Sequence, residues 1–239
     1  MTDVLAEARV ESPESCDVCG GHTFEHTAVL WPALIAEWEL SPHESRYIDV
    51  QQGTHCRSCG SNIRSIALAR AIMRFRHFVG TLTMFVADPN QGALRVLEIN
   101  EAGTLHPVLR QLPGHHFASY PEIDMLSLPF PSRSFDLIVH SDTLEHVPTP
   151  LNGLKECRRV IDDGGAVIFT VPVIVERLTR SRSGMPPSYH ENERLRDPGM
   201  VVHTEFGADV WVLVAQAGFS SCELLPHQFP AGLAILAKA

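Results

Sequence analysis

Two cysteine pairs carry the most specific chemistry in the chain. Cys16-Asp-Val-Cys19-Gly20 and Cys56-Arg-Ser-Cys59-Gly60 repeat one CxxCG spacing. Two thiolates set two residues apart bracket one Zn²⁺, and two such pairs complete a tetrahedral S₄ site. The glycine after each pair suits a turn whose backbone N–H groups face sulfur. Four thiolates fill the coordination sphere, so this zinc is expected to be structural. His22, His26 and His55 are the substitute ligands should one thiol be misplaced. Cys157 and Cys222 fall in a helix and a strand and read as core thiols.

A second candidate site starts where the apolar pair Val96-Leu97 runs into Glu98 and then a small-residue loop around Gly103. In an open α/β sheet, ligands bind past the carboxyl ends of the strands. An acid leaving a strand there can hold a polar ligand, and the helix that follows offers free backbone N–H groups. A general base for neutral pH would come from histidine. The candidates are His140, His146, His190 (beside Tyr189) and His203 (before Thr204-Glu205). Glu145-His146 reads first as a structural tie between the segment after its strand and the sheet. His106, His115, His116 and His227 have no supporting context and read as surface or edge residues.

The elements that must position these groups follow from periodicity and caps. Leu30 to Leu40 can form a helix with Pro32 in its first turn. Ser41-Pro-His-Glu44 is a capping box, so a second helix should run through Tyr47 to Gln52. Ser61 or Asn62 caps a longer helix to His77, with Ile63, Ile66, Ala67, Ala71 and Phe75 on its apolar face. Arg57, Arg64, Arg70, Arg74 and Arg76 lie on or near that helix. They are either a phosphate-binding face or, the favoured reading, a face paired with acids of the main domain. From Arg95 the rhythm is strand, loop, helix. Strands are expected over 95–99, 115–119, 135–140, 166–171, 221–225 and 232–237, with helices over 104–111, 151–161 and 208–217. This alternation predicts a doubly wound, mostly parallel sheet. The stretch 176–200, rich in Arg, Ser, Pro and Gly, is too long for a simple connection and reads as a lid-like insert.

Several segments in order resemble the motifs of class I S-adenosylmethionine (SAM) dependent methyltransferases: Leu97-Glu-Ile-Asn100, Asp124-Met-Leu-Ser-Leu-Pro-Phe-Pro131, Ser134-Phe-Asp-Leu-Ile-Val139, Asp142-Thr-Leu-Glu-His-Val147 and Arg159-Val-Ile-Asp-Asp-Gly-Gly165. The similarity covers about 95–225. The paired CxxCG units ahead of it, with Pro187-Ser-Tyr-His190 and Val202-His-Thr-Glu-Phe-Gly207 behind, resemble a bacterial zinc-containing branch linked to glycan or natural-product modification. The resemblance implies a Rossmann-like α/β fold, a seven-stranded mostly parallel sheet with its last hairpin antiparallel. It places Glu98 at the first-strand acid, Asp124 with the Met125 backbone at the adenine, and His140 and Ser141 along the methionine side. The glycine positions of the usual loop hold Asn100, Ala102 and Thr104, with Gly103 displaced. The ribose-gripping acid after the second strand is missing from its place. Glu122, or Ser119 and Tyr120, would stand in.

The expected division is a tail over 1–15, a zinc-binding helical module over 16–80 and a methyltransferase domain over 81–239. A net charge of −9 argues against a nucleic-acid partner. No apolar run reaches the roughly 20 residues of a membrane span, and the polar N-terminus lacks an apolar secretion signal, so the expected location is cytoplasmic. The expected activity is methyl transfer from SAM to a hydroxyl or amine of a small molecule, a sugar or secondary metabolite, catalysed with His190, His203 and Tyr189. The alternatives are an RNA or protein methyltransferase docking through the zinc module, and a scaffold whose altered loop no longer binds SAM. Either a monomer or a homodimer is compatible, with Trp31, Trp38 and Phe78 expected as an exposed apolar patch for a partner.

Overall fold

The computed structural model describes residues 13–189 and 198–239. Most of the expected N-terminal tail lies outside them. The chain opens with a short antiparallel ribbon of β1 (Phe24–His26) and β2 (Thr54–Cys56). Between these strands stand helices α1 (Pro32–Glu37) and α2 (Pro42–Gly53). The capping box forms as expected: Ser41 Oγ accepts from Glu44 N–H at 3.2 Å and Glu44 Oε2 accepts from Ser41 N–H at 2.7 Å. Helix α3 (Ile63–Phe75) is capped by Asn62, whose Oδ1 accepts from Ser65 N–H at 2.9 Å.

The main sheet holds β3 (Val96–Ile99), β4 (His115–Ala118), β5 (Phe135–Ser141), β6 (Ile161–Thr170), β10 (Ser221–His227) and β11 (Gly232–Lys238). Their order is β10-β11-β6-β5-β3-β4. The four strands β4, β3, β5 and β6 are parallel, and β11 and β10 run antiparallel as a closing hairpin. The fold class is thus the expected one, with six strands in the main sheet among the described residues instead of seven. The strand that is lacking belongs on the edge beyond β4. Residues 119–134, which join β4 to β5, contain Pro121, Pro129 and Pro131. No helix or strand falls within this stretch, so β4 is the edge of the sheet.

Helices α4 (Leu82–Ala87), α5 (His106–Leu109), α6 (Pro150–Val160) and α7 (Val210–Gln216) complete the layers. Helix α3 packs on β11, β6 and β10. Ile66, Leu68 and Ile72 are fully buried there with Val96, Leu137 and Ile168 of the sheet, and Cys16, Val18 and Cys56 join the same core. The cysteine ribbon and the sheet therefore share one apolar interior. Two arginines of α3 pair with acids of the main domain, Arg74 with Glu223 at 3.2 Å and Arg64 with Asp142, whereas Arg70 lies 4.0 Å from Asp17 of the first cysteine turn. No helix among the described residues is long and apolar enough to cross a membrane.

The described part of the insert and its flanks are folded. Strands β7 (Val173–Ile174), β8 (Arg180–Ser181) and β9 (Thr204–Gly207) form a small sheet of order β7-β9-β8. It fastens α1 and α2 over the main sheet. Arg177 Nε donates to Glu44 Oε1 at 2.7 Å and its Nη1 to the Trp38 carbonyl at 2.9 Å. Trp38 Nε1 donates to Ser188 Oγ at 2.9 Å. Trp38 is accordingly buried and Phe78 packs edge-on against Phe85, so the expected exposed patch does not exist.

Candidate active site and metal centre

The two CxxCG turns fold alike. In each, the first cysteine's N–H donates to the carbonyl five residues on, at 2.8 Å (Cys16 to Gly21) and 2.9 Å (Cys56 to Ser61). Its carbonyl accepts from the glycine four residues on, at 2.7 Å from Gly20 and 2.8 Å from Gly60. Both glycines sit at left-handed φ, +80° and +75°, which an L side chain adopts at a cost. The turns bring Cys16 Sγ to 3.7 Å from Cys59 Sγ and Cys19 Sγ to 3.7 Å from Cys56 Sγ, and all four sulfurs lie within 4.8 Å of one another. Zn–S bonds of about 2.3 Å give tetrahedral edges of about 3.8 Å, so the residues fit the ion. Burial pushes the Cys19 thiol up to about 11. At Cys56 burial also pushes up, but the N–H groups of Ser58 and Cys59 outweigh it and bring the thiol to about 7. His55 pairs with Glu25 at 3.0 Å and His26 with Asp49 at 3.0 Å, and neither joins the cluster.

At the carboxyl ends of β3, β4 and β5 lies a cleft of about 520 Å³. Its walls bring together Asn100, Ser119, Tyr120, Asp124, Met125, Ser141, His146 and His203, all expected near the cofactor or substrate, and add Asp142. Asn100 takes φ +54° and Gly103 φ +55°. The left-handed turn that glycine usually supplies is thus made by asparagine, which tolerates it better than other side chains. The same side chain does a second job: Asn100 Oδ1 accepts from Tyr120 N–H at 3.0 Å and so ties the β3 loop to the β4 loop.

Glu98, fully buried, does not line the cleft. It holds the loop from beneath. Its Oε1 accepts from Ala102 N–H at 2.8 Å, and its Oε2 accepts from His115 Nε2 at 2.7 Å and His106 Nδ1 at 2.9 Å. His106 and His115, set aside on sequence, are therefore the partners of the first-strand acid. They stand eight and seventeen residues away, so no local spacing marks them. Burial pushes the Glu98 carboxyl up, but the bonds from His115, Ala102 and His106 outweigh it and the net shift is downward from 4.5. A depressed carboxyl stabilises the fold above its unfolded pKa, and that contribution is lost as pH falls through the folded value. Urea midpoints followed from pH 7 downward should thus fall once pH drops below about 4.5, and Glu98→Gln should flatten that fall.

Other expected residues fall elsewhere. His140 is buried in the sheet core, stacked on Phe169 with ring centroids 4.8 Å apart, and lines neither cavity. Burial alone pushes its imidazole down to about 3. It alternates with Ser141 along β5, so only one of the two neighbours reaches the strand-end cleft. Glu122 is exposed and off the cleft wall, which leaves Ser119 and Tyr120 as the groups after β4. Gly103 faces α3, where a Cβ would stand 3.4 Å from Ser65 Oγ. Tyr189 pairs with Val201 in an isolated bridge and lines neither cavity. His190 lies outside the described residues.

A second cavity of about 360 Å³ adjoins the cleft, and Asp142, His146 and Met200 line both. Asp142 is held by the N-terminal helices: Arg64 pairs with its Oδ2 and Gln52 reaches the same oxygen at 3.5 Å. Asp142 Oδ1 and Arg64 Nε are buried with no hydrogen-bond partner among the described residues. Below them Glu145 is buried, and burial pushes its carboxyl up to about 8. His146 Nδ1 lies 3.2 Å from the Val201 carbonyl, an acceptor. That contact puts the proton on Nδ1, and Nε2 lies 3.8 Å from Glu145 Oε1. Burial also lowers the His146 pKa from 6.5. Sequence reading gave Glu145-His146 a structural role, yet the fold puts the imidazole on the wall shared by both cavities.

A parallel sheet with an antiparallel closing hairpin, and a cofactor-sized cleft at its strand ends, is the architecture of the class I SAM-dependent methyltransferases. Residues 59–169, just under half of the chain, match the family model described as a methyltransferase domain. The chain is 33% identical over 98 residues to a demethylmenaquinone methyltransferase of Clavibacter sepedonicus, covering 40% of each protein. The match thus spans well under half of that relative's length. Among solved structures, a possible histamine N-methyltransferase of Thermotoga maritima is 16% identical with TM-score 0.41, covering 87% of this chain and 97% of that one. The C-methyltransferase domain of the citrinin polyketide synthase is 15% identical with TM-score 0.48, covering 86% and 59%.

Proposed function

We propose that the protein transfers a methyl group from SAM to a hydroxyl or amine of a small molecule, with a structural Zn²⁺ on Cys16, Cys19, Cys56 and Cys59. The observation that carries this reading is the pair of adjoining cavities that share Asp142, His146 and Met200. Two reactants held side by side across a common wall is what an in-line displacement needs. SAM, when bound, supplies a methyl group on a sulfonium, a leaving group that needs no acid. Asn100, Ser119, Tyr120, Asp124, Met125 and Ser141 would hold it in the larger cleft. Glu98 acts as a positioning residue, fixing the loop through Ala102 N–H. His146 Nε2 would accept the acceptor's proton, with His203 on the same wall of the cleft. The scaffold alternative rested on the missing glycines. Asn100 meets that requirement directly, because it adopts the φ a glycine would.

Calorimetry of SAM and S-adenosylhomocysteine against the zinc-loaded protein tests the cofactor half. Micromolar binding of both is expected, and no heat with either would refute the reading. The loop gives a graded check. Asn100→Gly keeps the positive φ but loses the bond to Tyr120, worth about 1 kcal/mol, so S-adenosylhomocysteine affinity should fall by about fivefold. Asn100→Val loses the bond and forces a β-branched residue into left-handed φ, so its loss should exceed that of the glycine variant by about tenfold.

A further inference from the structure

The smaller cavity is chemically lopsided. Leu30, Trp31, Leu34, Trp38, Ile48 and Ile174 make its body, drawn from α1, α2, their flanks and β7. Its polar groups, Gln52, Arg64, Asp142 and His146, include the two that also face the larger cleft, Asp142 and His146. Arg64 and Gln52 both reach Asp142, so the four polar groups gather at one end. A sugar carries hydroxyls around its whole rim, and each would need a partner along the walls. Walls of aliphatic side chains and two indoles would leave those hydroxyls unpaired, each at a cost to binding.

Resting on the methyl-transfer reading above, we infer that the acceptor is an apolar, ring-bearing small molecule with one hydroxyl, seated beneath α1 and α2 with that hydroxyl between His146 and Asp142. The ring lies among the indoles and aliphatic side chains, where flat apolar faces gain most from burial. The hydroxyl's one proton faces His146, and Asp142, its Oδ2 held by Arg64 and Gln52, flanks the oxygen. In the transfer, the carbon–sulfur bond of the sulfonium breaks and its electron pair stays on sulfur, giving S-adenosylhomocysteine. The new carbon–oxygen bond forms from an oxygen lone pair, and the hydroxyl proton passes to His146 Nε2. The metal module thus supplies most of the acceptor's seat, a role beyond holding the chain together. The sugar side of the sequence expectation has no matching wall.

Titration of the zinc-loaded protein with 1-naphthol and, separately, with D-glucose tests this without any turnover. Naphthol should bind at least about tenfold more tightly than glucose, and Trp31→Ala and Ile48→Asn should each weaken it by about tenfold. Both positions are only half-buried, so each variant should fold, and circular dichroism melting checks that it does. Naphthol binding no tighter than that of glucose, or binding that both variants leave unchanged, overturns the inference. A parallel titration with S-adenosylhomocysteine separates the two readings. Its failure sinks the cofactor assignment, whereas naphthol binding reports on the acceptor seat alone.

Discussion

Cys59→Ser is expected to lose the metal and to unfold the protein well beyond the two turns. Structural zinc in small modules contributes on the order of 10 kcal/mol or more, and net domain stability is about 5–15 kcal/mol. Losing a term of that size cannot be absorbed by the remaining contacts. The damage spreads because Cys16, Val18 and Cys56 are buried in the same core as Val96, Leu137 and Ile168 of the sheet. The melting transition should drop by more than about 15 °C or lose its cooperativity, and zinc content measured by atomic emission should fall from one equivalent toward none. A variant with full zinc and an unchanged transition would mean that the sulfurs do not hold the ion.

His146→Gln should lower kcat by about 10²–10⁴, the range for losing a positioned general base. An excellent leaving group puts the expected loss toward the lower end. The fold should survive, because an amide can keep the donor to the Val201 carbonyl that Nδ1 provides. Affinity for S-adenosylhomocysteine should hold within about twofold. The pH profile gives an independent readout. A base works deprotonated, and burial lowers the His146 pKa from 6.5. The acidic limb of kcat/KM should therefore have its midpoint below 6.5 and reach its plateau by neutral pH, and it should vanish in the glutamine variant. An unchanged kcat would move the role to His203, which lines the same cleft.

Much of this molecule is decided locally. The CxxCG turns, the Ser41–Glu44 box, the Asn62 cap and the alternation of apolar strands with helices depend on neighbours in sequence, and each forms where its residues stand. The sulfur cluster is legible for the same reason: two rigid turns, each with its own glycine, need only be brought face to face. Asn100 was legible too, since its tolerance of left-handed φ belongs to the residue itself.

Only the tertiary structure decided the rest. His106 and His115 converge on Glu98 because the β3–β4 pairing sets His115 beside Val96 and swings the short α5 over the strand end. His140 is lost to the core by strand alternation, while His146, six residues further on, is delivered to the cleft. Arg64 reads as one more charge on an arginine-rich helix. It reaches Asp142 only because α3 lies across the sheet and points its first turn at the end of β5. The acceptor cavity is the extreme case. Its walls come from α1, α2, α3, β7 and the segments after β5 and before β9, elements far apart in the chain. No window of sequence contains it, because a cavity is a property of how faces meet, and the Arg177 contacts with Glu44 and Trp38 that set this meeting span more than a hundred residues.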